Sequence, residues 1–274
     1  MNTEEILQTA LDAAGLAEVP ADSGVIIPGE NIKKVVFGVD MEAAEILIAK
    51  QIGADGVITH HPKGGEPMVN LYKVMENQID RMVEAGVPIN KAQKAIKERM
   101  EQVDIGLHVS NYDRAVSAAR VLGMPFLAIH SPADKLAERK VQAHLDQALA
   151  GNDRATLKDV LAALEQMPEY KKTVTKPVIR VGSEKSFAGK VFVTMAGGTG
   201  GGAKVAKAYF EAGVGTLVVM HMPPETIKAV KEQGIGNVVV AGHMASDSVG
   251  INEVIKALEA KGLEVVRMSG VIEA

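Results

Sequence analysis

Apolar and polar positions along the chain change period repeatedly, and the changes lay out a series of elements. Thr3 to Ala14 has helical spacing, with Thr3 as the expected N-cap and Glu4 and Glu5 in the positive first turn. Val35 to Val39 is a short apolar run of strand type. Glu42 to Gly53 returns to helical spacing and stops at a glycine, and Val57 to Thr59 is a second apolar run. Strand, helix and strand in that order predict a β-α-β unit with parallel strands and a right-handed crossover. Further on, the pattern predicts helices over Met68 to Ala85 and Lys91 to Gln102. A short strand is expected over Asp104 to Val109, a helix over Asp113 to Leu122 and a strand over Phe126 to Ile129.

Ala133 to Met167 is charged and rich in alanine and leucine. It reads as helix broken at Gly151-Asn152-Asp153, with Thr156 able to cap the resumption. Tyr170 to Pro177 reads as a link into a second half that resembles the first. KKVVFGVD and GADGVITHHP are matched by GKVFVTMA and GVGTLVVMHMP, and setting Gly53 on Gly213 sets His61 on His221. Apolar β-α-β units resemble one another by default, so this likeness fits both duplication and coincidence. The expected organisation is a first α/β lobe over 1–130, a helical connecting segment over 131–180 and a second α/β lobe over 181–274. Two such lobes would turn the carboxyl ends of their strands toward a common crevice, where α/β sheets bind ligands.

Composition narrows the chemistry. There is no cysteine among the 274 residues, so thiolate metal sites, iron–sulfur clusters, disulfides and thiol catalysis are excluded together. Any metal must be held by His, Asp or Glu. A net charge of −4 and only 3% aromatic residues argue against nucleic acid as a partner. No apolar run reaches spanning length, and the acidic, amphipathic start is not a signal peptide, so a cytoplasmic protein is expected.

Three segments carry candidate ligands. In GVITHHPKGG, His60 and His61 close a buried strand, and the turn at Pro62 lets adjacent side chains reach two points, as a pair of metal ions requires. A histidine pair alone is equally what a polar surface loop carries. In GLHVSNYDRA, Asp113 follows an expected strand and opens a helix, where it serves as a cap or as a ligand. His108 falls inside the strand pattern and reads as structural. In NVVVAGHMASDSVG, His243 and Asp247 share one face if the helix starts early. His130 and His144 show no carboxylate partner pattern and read as structural or surface residues. The glycine-rich GGTGGGAK lacks the lysine and hydroxyl spacing of a phosphate loop. Gly198, Gly200 and Gly201 still link a strand to a helix, so anion binding and simple close packing both remain open.

Taken in order, VVFGVD, GADGVITHHP, HVSNYD, VFVTMAGGTGGG and GHMASD make the chain similar, over most of its length, to the Nif-three-like proteins. These are often labelled GTP cyclohydrolase type-2 homologues. The resemblance implies an α/β protein of two similar, three-layer-like lobes, with two divalent ions in the cleft between them: zinc, manganese, iron or nickel. Carried over by position, the ligands are His60, His61, Asp113, His243 and Asp247. Three departures accompany it. Asp247 stands where the family has a longer Glu. His108 lies one residue early for the family's His-Thr-Asn-Leu-Asp segment. His221, in MHMPPE, is the single histidine of the second turn and the one candidate for a catalytic role. The resemblance also implies a homo-oligomer, a ring-shaped hexamer. The expected function is metal-dependent hydrolysis of a small molecule. The alternatives are a metal-handling or scaffold protein without catalysis, and a nucleotide- or anion-binding module built on the glycine-rich turn.

Overall fold

The computed structural model describes Met1–Ala274. In the first half α1 (Thr3–Ala14) precedes β1 (Gly24–Ile27), β2 (Lys34–Gly38), α2 (Ala43–Gln51) and β3 (Gly56–Thr59). Then come α3 (Gly65–Val69), a 3-10 turn over Leu71–Glu76, α4 (Asn77–Ala85), α5 (Ile89–His108), α6 (Arg114–Leu122), β4 (Phe126–Ala128) and α7 (Ser131–Ala148). Helices α8 (Leu157–Leu164) and α9 (Pro168–Lys172) lead into β5 (Val178–Val181), β6 (Val191–Thr194), α10 (Gly202–Glu211) and β7 (Thr216–Val219). The chain closes with α11 (Pro224–Gln233), β8 (Asn237–Val240), α12 (His243–Ala260) and β9 (Glu264–Met268). No helix is long and apolar enough to cross a membrane.

Two sheets result, ordered β1-β4-β3-β2-β9 and β5-β8-β7-β6. Four strands run parallel in the first sheet and three in the second, and in each the first strand in sequence closes one edge antiparallel. Strands β1 to β4 therefore correspond one to one with β5 to β8. The alignment of Gly53 with Gly213 lays β3 directly on β7. The shared strand order supports duplication as the origin of the likeness between the halves, because apolar composition alone does not dictate strand order.

Helices cover both faces of each sheet. α7 and α12 lie between the sheets and contribute to both inner cores. Ala133, Ile251 and Ile255 join the core of the first sheet, and Ala137, Leu145, Ala245 and Val249 join that of the second. Flanked on two sides, α12 is buried continuously from Ala245 to Asn252. It meets α7 closely: a Cβ on Gly250 would strike the carbonyl oxygen of Ala133.

The chain does not keep to the lobes laid out by sequence order. β9 leaves the second half and pairs parallel with β2, from Lys34↔Glu264 to Gly38↔Met268. In the other direction the 3-10 turn, α4 and α5, early in the chain, bury Met75, Met82, Ala92 and Ile96 against Phe192, Val205 and Tyr209 of the second half. The boundaries at 130 and 180 follow sequence proximity, whereas the cores follow which apolar faces remain uncovered.

Two local readings change as well. The strand expected over Asp104 to Val109 is the last part of α5. Ile105 and Val109 are 62% and 84% exposed, so their apolar character serves no sheet, and His108 sits at the helix C-terminus. At α1 the cap is Asn2 rather than Thr3; its side chain accepts from Glu5 N while Glu5 closes the box on Asn2 N. Thr156, in contrast, caps α8 with a box formed by Asp159.

Candidate metal centre

The centre lies where the carboxyl ends of β3 and β4 meet the N-termini of α7 and α12. His60 and His61 extend the ladder past β3 through amide bonds to Gly38 O and Val39 O, both 2.9 Å. The Thr59 hydroxyl donates to His61 O at 2.7 Å and fixes the turn. His130 follows β4 and Asp134 sits in the first turn of α7; His243 opens α12 and Asp247 follows one turn later. Each helix thus delivers a histidine and an aspartate four residues apart on one face.

Three of the imidazoles are tied back at Nδ1. His60 Nδ1 donates to Ile129 O at 3.2 Å, His61 Nδ1 to Asp40 Oδ1 at 2.9 Å and His130 Nδ1 to Asp22 Oδ2 at 2.7 Å. With Nδ1 so engaged, each turns its Nε2 inward, the orientation that metal-ligating histidines take from their outer partners. Asp22 is fully buried and also accepts from Ser131 Oγ at 2.7 Å and Ser23 Oγ at 3.1 Å.

The inward atoms surround common points without bonding one another. His60 Nε2 stands 3.4 Å from Asp134 Oδ1 and 3.7 Å from Asp247 Oδ1. Asp247 Oδ2 is 3.5 Å from His61 Nε2 and 3.4 Å from His243 Nε2. These separations exceed a charge-assisted hydrogen bond. His60 Nε2, Asp134 Oδ1 and both Asp247 oxygens are buried with no hydrogen-bond partner. Such atoms are costly unless a cation satisfies them. The donors form three overlapping groups: His60, His61 and His130; His61, His243 and Asp247; His60, Asp134 and Asp247. The residues fit a metal.

The electrostatics agree. Burial opposes ionisation of Asp247, yet His60, His61 and His243 outweigh it and hold the carboxyl far below the usual range. Burial likewise opposes charge on His60, and Asp247 and Asp134 outweigh it, raising its pKa well above that of free imidazole. A field that holds a proton this firmly also attracts a metal cation. His243 goes the other way: burial lowers it to about 4, with Asp247 opposing and His61 and His221 assisting.

Of the residues expected from sequence, His60, His61, His243 and Asp247 meet here, and Asp113 does not. Asp113 is the N-cap of α6, half exposed, 3.4 Å from Arg120, and lines a different cleft with Tyr112 and Val116. His130 and Asp134 take the place assigned to the HVSNYD segment. Their segment, HSPAD, has the four-residue His-to-Asp spacing of both His-Thr-Asn-Leu-Asp and HMASD, a signal that the five-residue spacing in HVSNYD lacked. His130, read from sequence as structural or surface, lies at the centre with its Nδ1 bonded to Asp22. His144 is structural, bonding Ala163 O at 2.8 Å. His221 is exposed at the mouth, its ring centroid 4.7 Å from that of His243. Gly198, Gly200 and Gly201 line the same cleft as His61 and Asp247. Their turn is latched by Gln78 Nε2, which donates to Gly197 O at 2.7 Å and Thr199 O at 2.6 Å.

Fold and site together define a two-sheet α/β protein with a buried His/Asp centre suited to a divalent metal. No family model and no curated protein matches the chain. Among solved structures it is similar to a NIF3 superfamily protein from Sphaerobacter thermophilus, at 40% identity over 98% of each chain with a TM-score of 0.95. The chain belongs to the NIF3 superfamily. Its fold is shared by reduced HcgD from Methanocaldococcus jannaschii, at 17% identity over 97% of each chain and a TM-score of 0.64. A Bacillus cereus protein related to NIF3 matches at 12% identity, over 98% of this chain and 96% of that one, with a TM-score of 0.56.

Proposed function

We propose that this protein is a metal-dependent hydrolase with a dinuclear centre held by His60, His61, His130, Asp134, His243 and Asp247. The observation that carries this reading is the convergence of Nδ1-anchored imidazoles on buried carboxylate oxygens that no protein group satisfies. The division of Asp247, Oδ1 toward His60 and Oδ2 toward His61 and His243, supports a carboxylate shared between two ions despite its short side chain. Imidazole and carboxylate donors without thiolate suit zinc, manganese, iron or nickel.

Ions held there supply Lewis acidity and make water acidic near neutral pH. The chain's own residues do the rest. Asp40 and Asp22 keep His61 and His130 in one tautomer. The packing of α7 against α12 fixes the separation of the two aspartates. In hydrolysis the oxygen of water joins the electrophilic carbon or phosphorus and the bond to the leaving group breaks. His221, at the mouth and free of hydrogen bonds, is the group we assign to carry the proton to the leaving atom.

The test is elemental analysis of untagged wild type, His61→Ala and Asp247→Ala, followed by turnover assays on phosphoesters, nucleotides and cyclic amides. About two ions per chain are expected in the wild type, falling in both variants. Firm metal retention with no turnover on the whole panel would favour a metal-handling protein instead. A homo-oligomer, ring-shaped by family resemblance, belongs to the same proposal and is tested by light scattering.

A further inference from the structure

Away from the centre the cleft is walled by Leu71, Val205, Tyr209, Val219 and Met222. Its volume of about 310 Å³ stands at the lower end of the range for small-molecule sites, roughly 300–1,000 Å³. Arg81 is the one arginine on its surface, and no lysine lines it. The Arg81 guanidinium is already engaged. Nε faces Glu138 Oε1 at 3.0 Å, one terminal nitrogen bonds Glu84, the other donates to Val193 O at 2.9 Å, and the group stacks 4.2 Å from the Phe192 ring. The next cations along the glycine-rich turn are engaged too: Lys204 pairs with Glu98, and Arg99 donates to Gly200 O at 3.3 Å.

A buried anion needs a partner for each charge it brings out of water. Two divalent ions set against Asp134, Asp247 and the buried Asp22 behind His130, with neutral imidazoles, leave roughly +1 at the centre. That suits one anionic head, and beyond it the walls hold no unengaged cation for a second or third phosphate, only the polar groups of the glycine-rich turn. We propose, resting on the metal-dependent reading above, that the cleft takes a small ligand with one anionic head at the centre and an uncharged, ring-sized body against Leu71 and Met222. On this reading a nucleoside triphosphate, whose further charges meet no free cation, binds more weakly than a ligand with one head.

Phenylphosphonate is the probe, since it carries such a head on a single ring and is not hydrolysed. Calorimetry is run on the full chain, with zinc counted in the same sample. Phenylphosphonate is expected to bind about 10-fold more tightly than inorganic phosphate, the gain coming from burial of the ring, and GTP to bind more weakly than phenylphosphonate. Leu71→Lys and Met222→Lys, at partly buried wall positions, are expected to remove that gain without weakening phosphate binding or lowering zinc content. GTP binding as tightly as phenylphosphonate, or phosphate binding as tightly, overturns the ligand class and leaves the metal centre standing. Protein that holds no zinc overturns both.

Discussion

The Nε2 atoms of His61 and His243 lie 3.2 Å apart, although 182 residues separate them in the chain. His61 Nδ1 is bonded to Asp40, so Nε2 is the nitrogen it turns toward His243. Asp247 Oδ2 closes the triangle at 3.5 and 3.4 Å. In metal-free protein this is a crowded, partly satisfied contact. A cation coordinated by all three would relieve it.

Asp134→Ala is expected to lower the metal content per chain, and Asp113→Ala to leave it at the wild-type value. Asp134 has a buried oxygen with no partner at the centre, whereas Asp113 stands before α6 on another face and turns its carboxylate to Arg120. Elemental analysis of the two variants side by side decides it. The reverse order would restore HVSNYD as the ligand segment.

Asp22→Asn keeps the shape of the buried side chain and removes its charge. The amide oxygen can still accept from His130 Nδ1 and Ser131 Oγ, but His130 loses its anionic partner. Zinc affinity is expected to fall by about 10- to 100-fold, the usual effect of disturbing an outer partner of a ligating histidine. Competition with a chromophoric chelator measures this, and an unchanged affinity would remove His130 from the ligand set.

Gly250→Ala places a methyl group against the carbonyl of Ala133 and forces α7 away from α12. A loss of about 1–3 kcal/mol is expected in urea unfolding, as for overpacked cores. Because the same two helices carry Asp134 and Asp247, metal retention should fall with it. Stability lost with metal retention intact would mean that the two helices adjust below the contact without moving their N-termini.

His243 sets a pH dependence in metal-free protein. Its folded pKa of about 4 lies below the free value of 6.5, so between these values the unfolded chain binds the proton and the folded chain does not. Stability attributable to His243 is therefore present above pH 6.5 and is lost as pH falls toward 4. His60 and His61 are shifted upward, and their contributions are constant across this window. Thermal unfolding in chelator should fall more steeply over the window for wild type than for His243→Gln. Parallel curves would count against the burial of a neutral imidazole.

Much of this architecture is written locally. The periods of the apolar runs place the parallel strands and their connecting helices. The absence of cysteine restricts any metal to imidazole and carboxylate, and HHP and GHMASD mark strand ends where those groups collect. HSPAD carried the same information in its spacing and was legible in principle. What short-range patterning cannot contain is which apolar face covers which. Asp104 to Val109 has a strand-like run of side chains, but continuation of α5 satisfies its backbone within the helix and no sheet edge is open to it. β9 lies at the end of the second half, yet β2 offers it an open edge in the first sheet. α4 and α5 come early and pack on the later sheet. The buried outer partners depend on such long-range placement as well. Asp22 precedes β1 without any motif, and only the closing of β1 against β4 brings its carboxylate under His130. A ligand set needs atoms fixed within a few ångströms, and here that precision comes from two helices buried side by side between two sheets.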